Sequence, residues 1–420
     1  MFLTVGDRIR QIRQQFNLKQ GVFKQFGITQ HYLSMIETNK RQAPQETLKD
    51  IYDALLILTD GEVESLYTFE MFCIPVETQV KQWLEEQLDS DDFHEKYELF
   101  ISIAEKYHLA EQQVDTNEKM ARYYFKISDY QAMSHYYRRA IGCAMKHKLN
   151  PAHLHIDFGK SLLTIGHYDE AVLNLCLATN SAQALTERSL ISYDAQIFLA
   201  LTYHRMKEYK LGLEVINHLL TKEDELVDGR YIGVIILKEM CTRGIEGSEV
   251  SRKYLLKLLN SDQLKQYPEY VHVVYHTLGW NYIEAKKYDK ALEAMQIALP
   301  LRKKELDKAL TRLLIGHINA EIGQYEIAQK YYHQIKDRIF LSNSLRTKRL
   351  WIDEQLDLYC KLNQMEEIKE LFAELRNLVC EGQFPESMLY ELKATIYKRF
   401  EGRLLLRQEE YRFLNDFFAL

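Results

Sequence analysis

The residues best equipped for chemistry lie between positions 19 and 41. In QHYLSMIETNK, Leu33 and Ile36 fall at the spacing of a buried helix edge. That spacing points Gln30, His31, Ser34 and Met35 outward, with Tyr32 at the margin. Amide and cationic side chains at the start of such a helix suit base edges in the major groove of double-stranded DNA. Lys19, Lys40 and Arg41 flank it and suit phosphates, which supply most sequence-independent affinity. Elsewhere reactive constellations are missing. The chain has no Gly-rich phosphate loop, no H-E-x-x-H and no G-x-S-x-G. His94-Glu95 continues Lys-Tyr-Glu, without a zincin's second ligand. The 14 histidines and 6 cysteines are scattered, with no C-x-x-C pair, so the expectation is no metal, no cofactor, no disulfide and no enzymatic activity.

These residues need helices to hold them, and the composition supplies little else. Only 17 glycines and 6 prolines occur in 420 residues, which predicts an all-α chain, since helix interiors tolerate those two residues least. Apolar residues at 46% and charged residues at 27% exclude intrinsic disorder. No run approaches 18 apolar residues, so a membrane span is not expected. The first residues, MFLTVGDRIRQIRQQ, lack the pattern of an export leader, and a cytoplasmic location is the expectation. The net charge is −6, yet residues 1–60 hold eight Lys and Arg against six Asp and Glu. So small a basic excess predicts weak DNA binding by one copy, and a homodimer reading two half-sites.

Ile9, Ile12 and Phe16 make one apolar face of a first helix after Val5-Gly6-Asp7. Asn17-Leu18-Lys19 breaks it. A second helix is expected over Gln20 to Phe26, with Val22, Phe23 and Phe26 inward. Gly27 suits a left-handed turn, Thr29 an N-cap, and Leu48, Ile51 and Leu55 a further helix beyond Pro44. Two short helices about a glycine turn describe a helix-turn-helix. Arg13, Leu18-Lys19-Gln20, Tyr32-Leu33-Ser34-Met35-Ile36-Glu37 and Asn39-Lys40 carry a resemblance to the phage-repressor (Xre/Cro type) DNA-binding domain over residues 5–58. The resemblance implies an Arg13–Glu37 ion pair and base or backbone contacts at Gln20, Gln30, His31, Tyr32 and Met35.

From about Val76 a different texture begins, in which a short polar turn, an aromatic and then small residues recur. The copies centre on Phe93, Tyr130, Tyr168, Tyr209, Tyr288, Tyr325, Met365 and Tyr411, spaced 37, 38, 41, 79, 37, 40 and 46 residues apart. The 79 is two periods, with a degenerate copy expected near 229–260. A fixed period means a solenoid, because one hairpin cannot bury its own apolar face. The repeats resemble tetratricopeptide repeats, and Gly159, Ala200, Gly279 and Gly316 take the places where the two helices of a hairpin approach closest. The expected plan is an N-terminal helix-turn-helix domain (1–66), a linker (67–76) and a right-handed tetratricopeptide-like α-solenoid of about eight hairpins (77–420).

On that repeat frame the groove-facing positions are Lys119, Arg122 and Lys126, then Asp157 and Lys160, His204, His276, Thr277 and Trp280, His317, and finally Asp353, Glu354 and Asp357. Early copies are basic and late ones acidic. A short peptide is therefore expected with its carboxylate toward Lys119, Arg122 and Lys160 and an apolar side chain on Trp280. A repressor-type domain ahead of such repeats resembles the peptide-sensing quorum regulators of Gram-positive bacteria, the Rap/Rgg/NprR/PlcR (RRNPP) family, and most of all its NprR branch. The resemblance implies a homodimer whose repeats bind a short signalling peptide and thereby alter DNA binding. At positions where members place backbone-clamping asparagines, this chain has Lys119, Asp157, Phe198, Thr277 and Glu354. The alternative is capture or dephosphorylation of a response-regulator protein, using Gln82, Glu86 and Gln87; a scaffold without a small ligand is the third reading.

Overall fold

The computed structural model describes residues 2–182, 188–222, 226, 227, 229–342, 344–381, 384, 389–391 and 394. Helices make up all the regular structure among them, and the chain is a helical solenoid of repeats. It divides into two compact units, Met1–Tyr123 with Arg138–Leu149, and Tyr124–Tyr137 with Asn150–Leu420. The weak repeat expected around Tyr411 lies outside the described residues.

In the first unit, α1 (Val5–Gln15) starts from a capping box. The Thr4 hydroxyl accepts the Asp7 amide, and the Asp7 carboxylate accepts the Thr4 amide. The expected second helix winds as a 3₁₀ helix over Gln20–Phe26 and ends at Gly27 with φ 80°. The tighter winding rises about 2.0 Å per residue against about 1.5 Å in an α-helix, so seven residues reach farther. Thr29 caps α2 (Gln30–Glu37) by accepting the Tyr32 amide at 3.2 Å. α3 (Gln45–Leu58), α4 (Glu62–Leu66) and α5 (Phe69–Cys73) follow.

Residues 67–76, expected as a linker, are packed instead. Phe72 is wholly buried in one core with Ile9, Ile12, Phe23, Leu33, Ile36, Ile51 and Leu55. Buried Arg8 donates to the Phe72 carbonyl, to Leu3 O at 3.1 Å and to Ile74 O at 2.6 Å. These bonds staple the segment to α1, because a buried guanidinium must find acceptors.

α6 (Val76–Leu88), α7 (Tyr97–Lys106), α8 (Ala110–Lys126) and α9 (Tyr130–Lys146) come next. In the second unit six hairpins follow: α10 (Ala152–Ile165) with α11 (Tyr168–Ala182), α12 (Arg188–Arg205) with α13 (Tyr209–Leu220), and α14 (Arg230–Glu246) with α15 (Ser248–Leu259). The short α16 (Asp262–Gln266) intervenes before α17 (Val271–Glu284) with α18 (Tyr288–Leu301), α19 (Glu305–Glu321) with α20 (Tyr325–Phe340), and α21 (Leu345–Leu362) with α22 (Met365–Cys380). The degenerate copy is thus α14 and α15.

Tyr168, Tyr209, Tyr288, Tyr325 and Met365 each open the second helix of a hairpin. Two residues before each stands a left-handed backbone: Gly166, Lys207, Lys286, Gly323 and Asn363, with φ between 55° and 87°. A Cβ on Gly159, Gly279 or Gly316 would lie within 2.8 Å of Leu175, Met295 or Tyr332, sixteen residues on in the partner helix. Ala200 and Ile216 make the same pairing, both fully buried. The small residue on one helix admits the large residue of the other. α21 also touches α10, so the first and last of the six described hairpins of this unit meet.

Candidate functional site

Two candidate sites are present, one in each unit. On α2, Leu33 and Ile36 are buried while Gln30 and His31 are exposed and Tyr32, Ser34 and Met35 half-buried. Lys19, Lys40 and Arg41 are exposed, and the Arg41 guanidinium lies 5.0 Å over the Tyr32 ring. Glu37, only 1% exposed, holds the domain together. It accepts Arg13 Nε at 2.8 Å and Nη2 at 3.0 Å, the bidentate pair expected from the sequence. The hydrogen bond with Glu37 raises the Arg13 pKa above its ordinary value. Gln20, expected among the base or backbone contacts, donates its amide to Glu37 Oε2 at 2.8 Å, and its side chain is half-buried. A carboxylate has acceptor capacity beyond one guanidinium fork, and the nearest amide fills it. The outward set is Gln30, His31, Ser34, Met35 and Tyr32, with Lys19, Lys40 and Arg41 around it.

The second site is a cavity of about 390 Å³ inside the second unit. Its wall draws on α12 (His204, Arg205), α13 (Tyr209), α14 (Met240, Arg243), α17 (His276, Thr277, Trp280, Glu284), α19 (Leu310, Leu313, Leu314) and α21 (Arg346, Leu350). Four predicted groove residues meet there: His204, His276, Thr277 and Trp280. Thr277 is buried and its hydroxyl donates to Val273 O at 2.9 Å, so it contributes shape more than a donor. Trp280 Nε1 donates to Glu284 Oε1 at 3.1 Å, and Arg243 Nη1 to the same oxygen at 2.8 Å, which orients the indole along the wall. Burial pushes the imidazoles of His204 and His276 down to about 3, helped at His204 by Arg205, Arg243 and Arg346 and at His276 by Arg302. Both rings are neutral at pH 7. His276 Nδ1 shares a hydrogen bond of 3.2 Å with the Thr311 hydroxyl.

The other predicted groove residues do not line this cavity. Asp157 pairs with Lys160 at 3.4 Å, and Lys160 Nζ sits 4.7 Å over the Phe198 ring. His317 Nδ1 lies 2.8 Å from Glu354, which also accepts the Tyr332 hydroxyl at 3.0 Å. Asp353 is held by Arg349 at 2.9 Å and Asp357 by Lys361 at 2.9 Å. Lys126 is exposed. Lys119 and Arg122 belong to the first unit, where they pair with Asp89 at 2.7 Å and Glu118 at 2.5 Å. Lys119, Arg122 and Lys160 are therefore matched by local carboxylates. The cationic wall of the cavity comes from Arg205, Arg243 and Arg346, none of which the sequence singled out. Helical spacing alone does not reveal them, because their assembly needs α12, α14 and α21 brought together by the winding of the repeats.

No family model matches the chain, and no curated relative matches it. Among solved structures, a Rap protein complexed with competence and sporulation factor is 13% identical with a TM-score of 0.49, over 82% of this chain and 96% of that one. The apo form of RapI is 15% identical with a TM-score of 0.43, over 80% and 97%. PlcR of Bacillus thuringiensis, in complex with a peptide and DNA, is 16% identical with a TM-score of 0.26, over 72% and 99%.

Proposed function

We propose that this chain is a DNA-binding transcriptional regulator of the RRNPP kind, controlled by a short signalling peptide held in the groove of its repeats and acting as a homodimer. The observation that carries the reading is the joint presence of an outward-facing Gln30-His31 helix start and of a mixed apolar and cationic cavity in the repeats. The first supplies groups suited to base edges, with Lys19, Lys40 and Arg41 for phosphates. The second has the dimensions of a small-ligand site. A ligand acts on DNA affinity only by binding two arrangements of the repeats unequally. In a dimer, a change in the curvature of the repeats alters the separation of the two readers and their fit to half-sites.

A gel shift with DNA from upstream of the gene, at low salt, with and without pooled synthetic peptides, tests the reading. Retarded DNA that responds to peptide supports it; no retardation in either state overturns it. A second reading, action on a response regulator, draws on Gln82 and Glu86, which are exposed on α6. Loss of aspartyl phosphate from such a partner on mixing would favour it.

A further inference from the structure

Arg205 closes α12 and Arg346 opens α21, and both line the same cavity. Several other guanidiniums of the chain are held by carboxylates. Arg13 has Glu37, Arg230 has Asp194, Arg243 has Glu239 and Glu284, and Arg349 has Asp353. Arg205 and Arg346 have neither a hydrogen bond nor an ion pair among the described residues. They crowd each other as well, since burial and the charge of Arg346 push Arg205 down to about 10. Two like charges facing one cavity are unfavourable until an anion enters. The imidazoles beside them are neutral, so the positive field there is the guanidiniums' own.

We propose that Arg205 and Arg346 form a two-guanidinium clamp for a carboxylate, and that this carboxylate is the C-terminus of a peptide ending in an aliphatic residue. The guanidinium fork matches the two oxygens of a carboxylate. Leu310, Leu313, Leu314 and Leu350 line the same cavity and suit the last side chain. Arg243 is already paired in charge with Glu239 and Glu284 and closes the wall of the cavity. The carboxylate is thereby placed in the cavity rather than at Lys119, Arg122 and Lys160, where the sequence suggested it. This assignment rests on the peptide-sensing reading above.

The test uses the full chain and a defined pool of N-acetylated tetrapeptides ending in leucine, prepared as free acids and again as C-terminal amides. Retention is read by affinity selection and mass spectrometry. The free acids are expected to be retained at least tenfold over the amides, with the preference lost in Arg205→Gln and in Arg346→Gln and partly kept in Arg346→Lys. Either Gln variant is also expected to melt at a higher temperature than the parent without ligand, because the repulsion between the pair is gone; a merely structural arginine would lower it. Arg312→Gln, outside the cavity wall, serves as the folding control. Equal retention of acids and amides overturns the clamp while leaving peptide binding standing. Retention of neither, with Arg346-dependent thermal protection by inorganic phosphate, overturns the peptide and keeps an anion site of another kind. No retention and no protection overturns both.

Discussion

Glu37 is where the front unit is most exposed to single substitutions. It is buried and binds Arg13 and Gln20, so Glu37→Ala strands a guanidinium and an amide. Loss of one partner of a buried pair costs about 3 kcal/mol, and urea unfolding of the variant should show a loss of that size, with Glu37→Gln losing less. Gly6 is a second such point, since a Cβ there would sit 2.1 Å from the Ile36 carbonyl oxygen. Gly6→Ala should destabilise by about 2 kcal/mol as α1 and α2 are forced apart. The Thr29 cap was legible because it follows from residue type at a local spacing, whereas the Arg13–Glu37 pair, 24 residues apart, came only from the resemblance to the repressor family. The bond of Gln20 to Glu37 was not legible, because a surface amide and an amide satisfying a buried carboxylate look alike in sequence. Arg8 left no trace either, because its acceptors are main-chain carbonyls, which any residue supplies.

At the level of helices, the period and the paired small residues of the recurring motif were legible. Each described aromatic of the period opens a helix, and Gly159, Gly279 and Gly316 each sit against a partner sixteen positions later. The left-handed turn before the aromatic was not foreseen, because Lys207 and Lys286 occupy it as often as Gly166 and Gly323. This gives a matched pair of expectations. Lys286→Gly should raise stability by about 1 kcal/mol by relieving a left-handed conformation, while Gly323→Ala should cost about the same. Nothing lies within 4 Å of a Cβ at Gly323, so that loss would be purely conformational. Gly316→Ala, by contrast, drives a methyl into Tyr332 and should cost about 2 kcal/mol through overpacking. Thermal melting of the three variants separates the two effects.

For the molecule as a whole, acidity acts through the cavity. Burial holds His204 and His276 neutral down to about 3, from an ordinary value of 6.5, whereas the unfolded chain takes up protons near that ordinary value. The unfolded state therefore binds more protons below pH 6.5, and stability falls as the pH drops from there toward 3. The slope is at most about 1.4 kcal/mol per pH unit for each ring. Guanidinium titrations at pH 7 and pH 5 should show the difference, reduced in His204→Gln and His276→Gln. His317 works the other way: burial alone would depress it, but the hydrogen bond with Glu354 and the charges of Glu354 and Glu321 raise it. Its favourable contribution is complete below the unfolded value and is lost as the pH rises through its higher folded value.

The meeting of α10 with α21 bears on how this unit comes apart. A linear stack whose members touch only their neighbours can come apart one repeat at a time. Here the first and last described hairpins are latched, so fraying at one costs contacts at the other. The expectation is a single sharp transition for all six hairpins, and a chain stopped before Ser344 should lose both the latch and that sharpness.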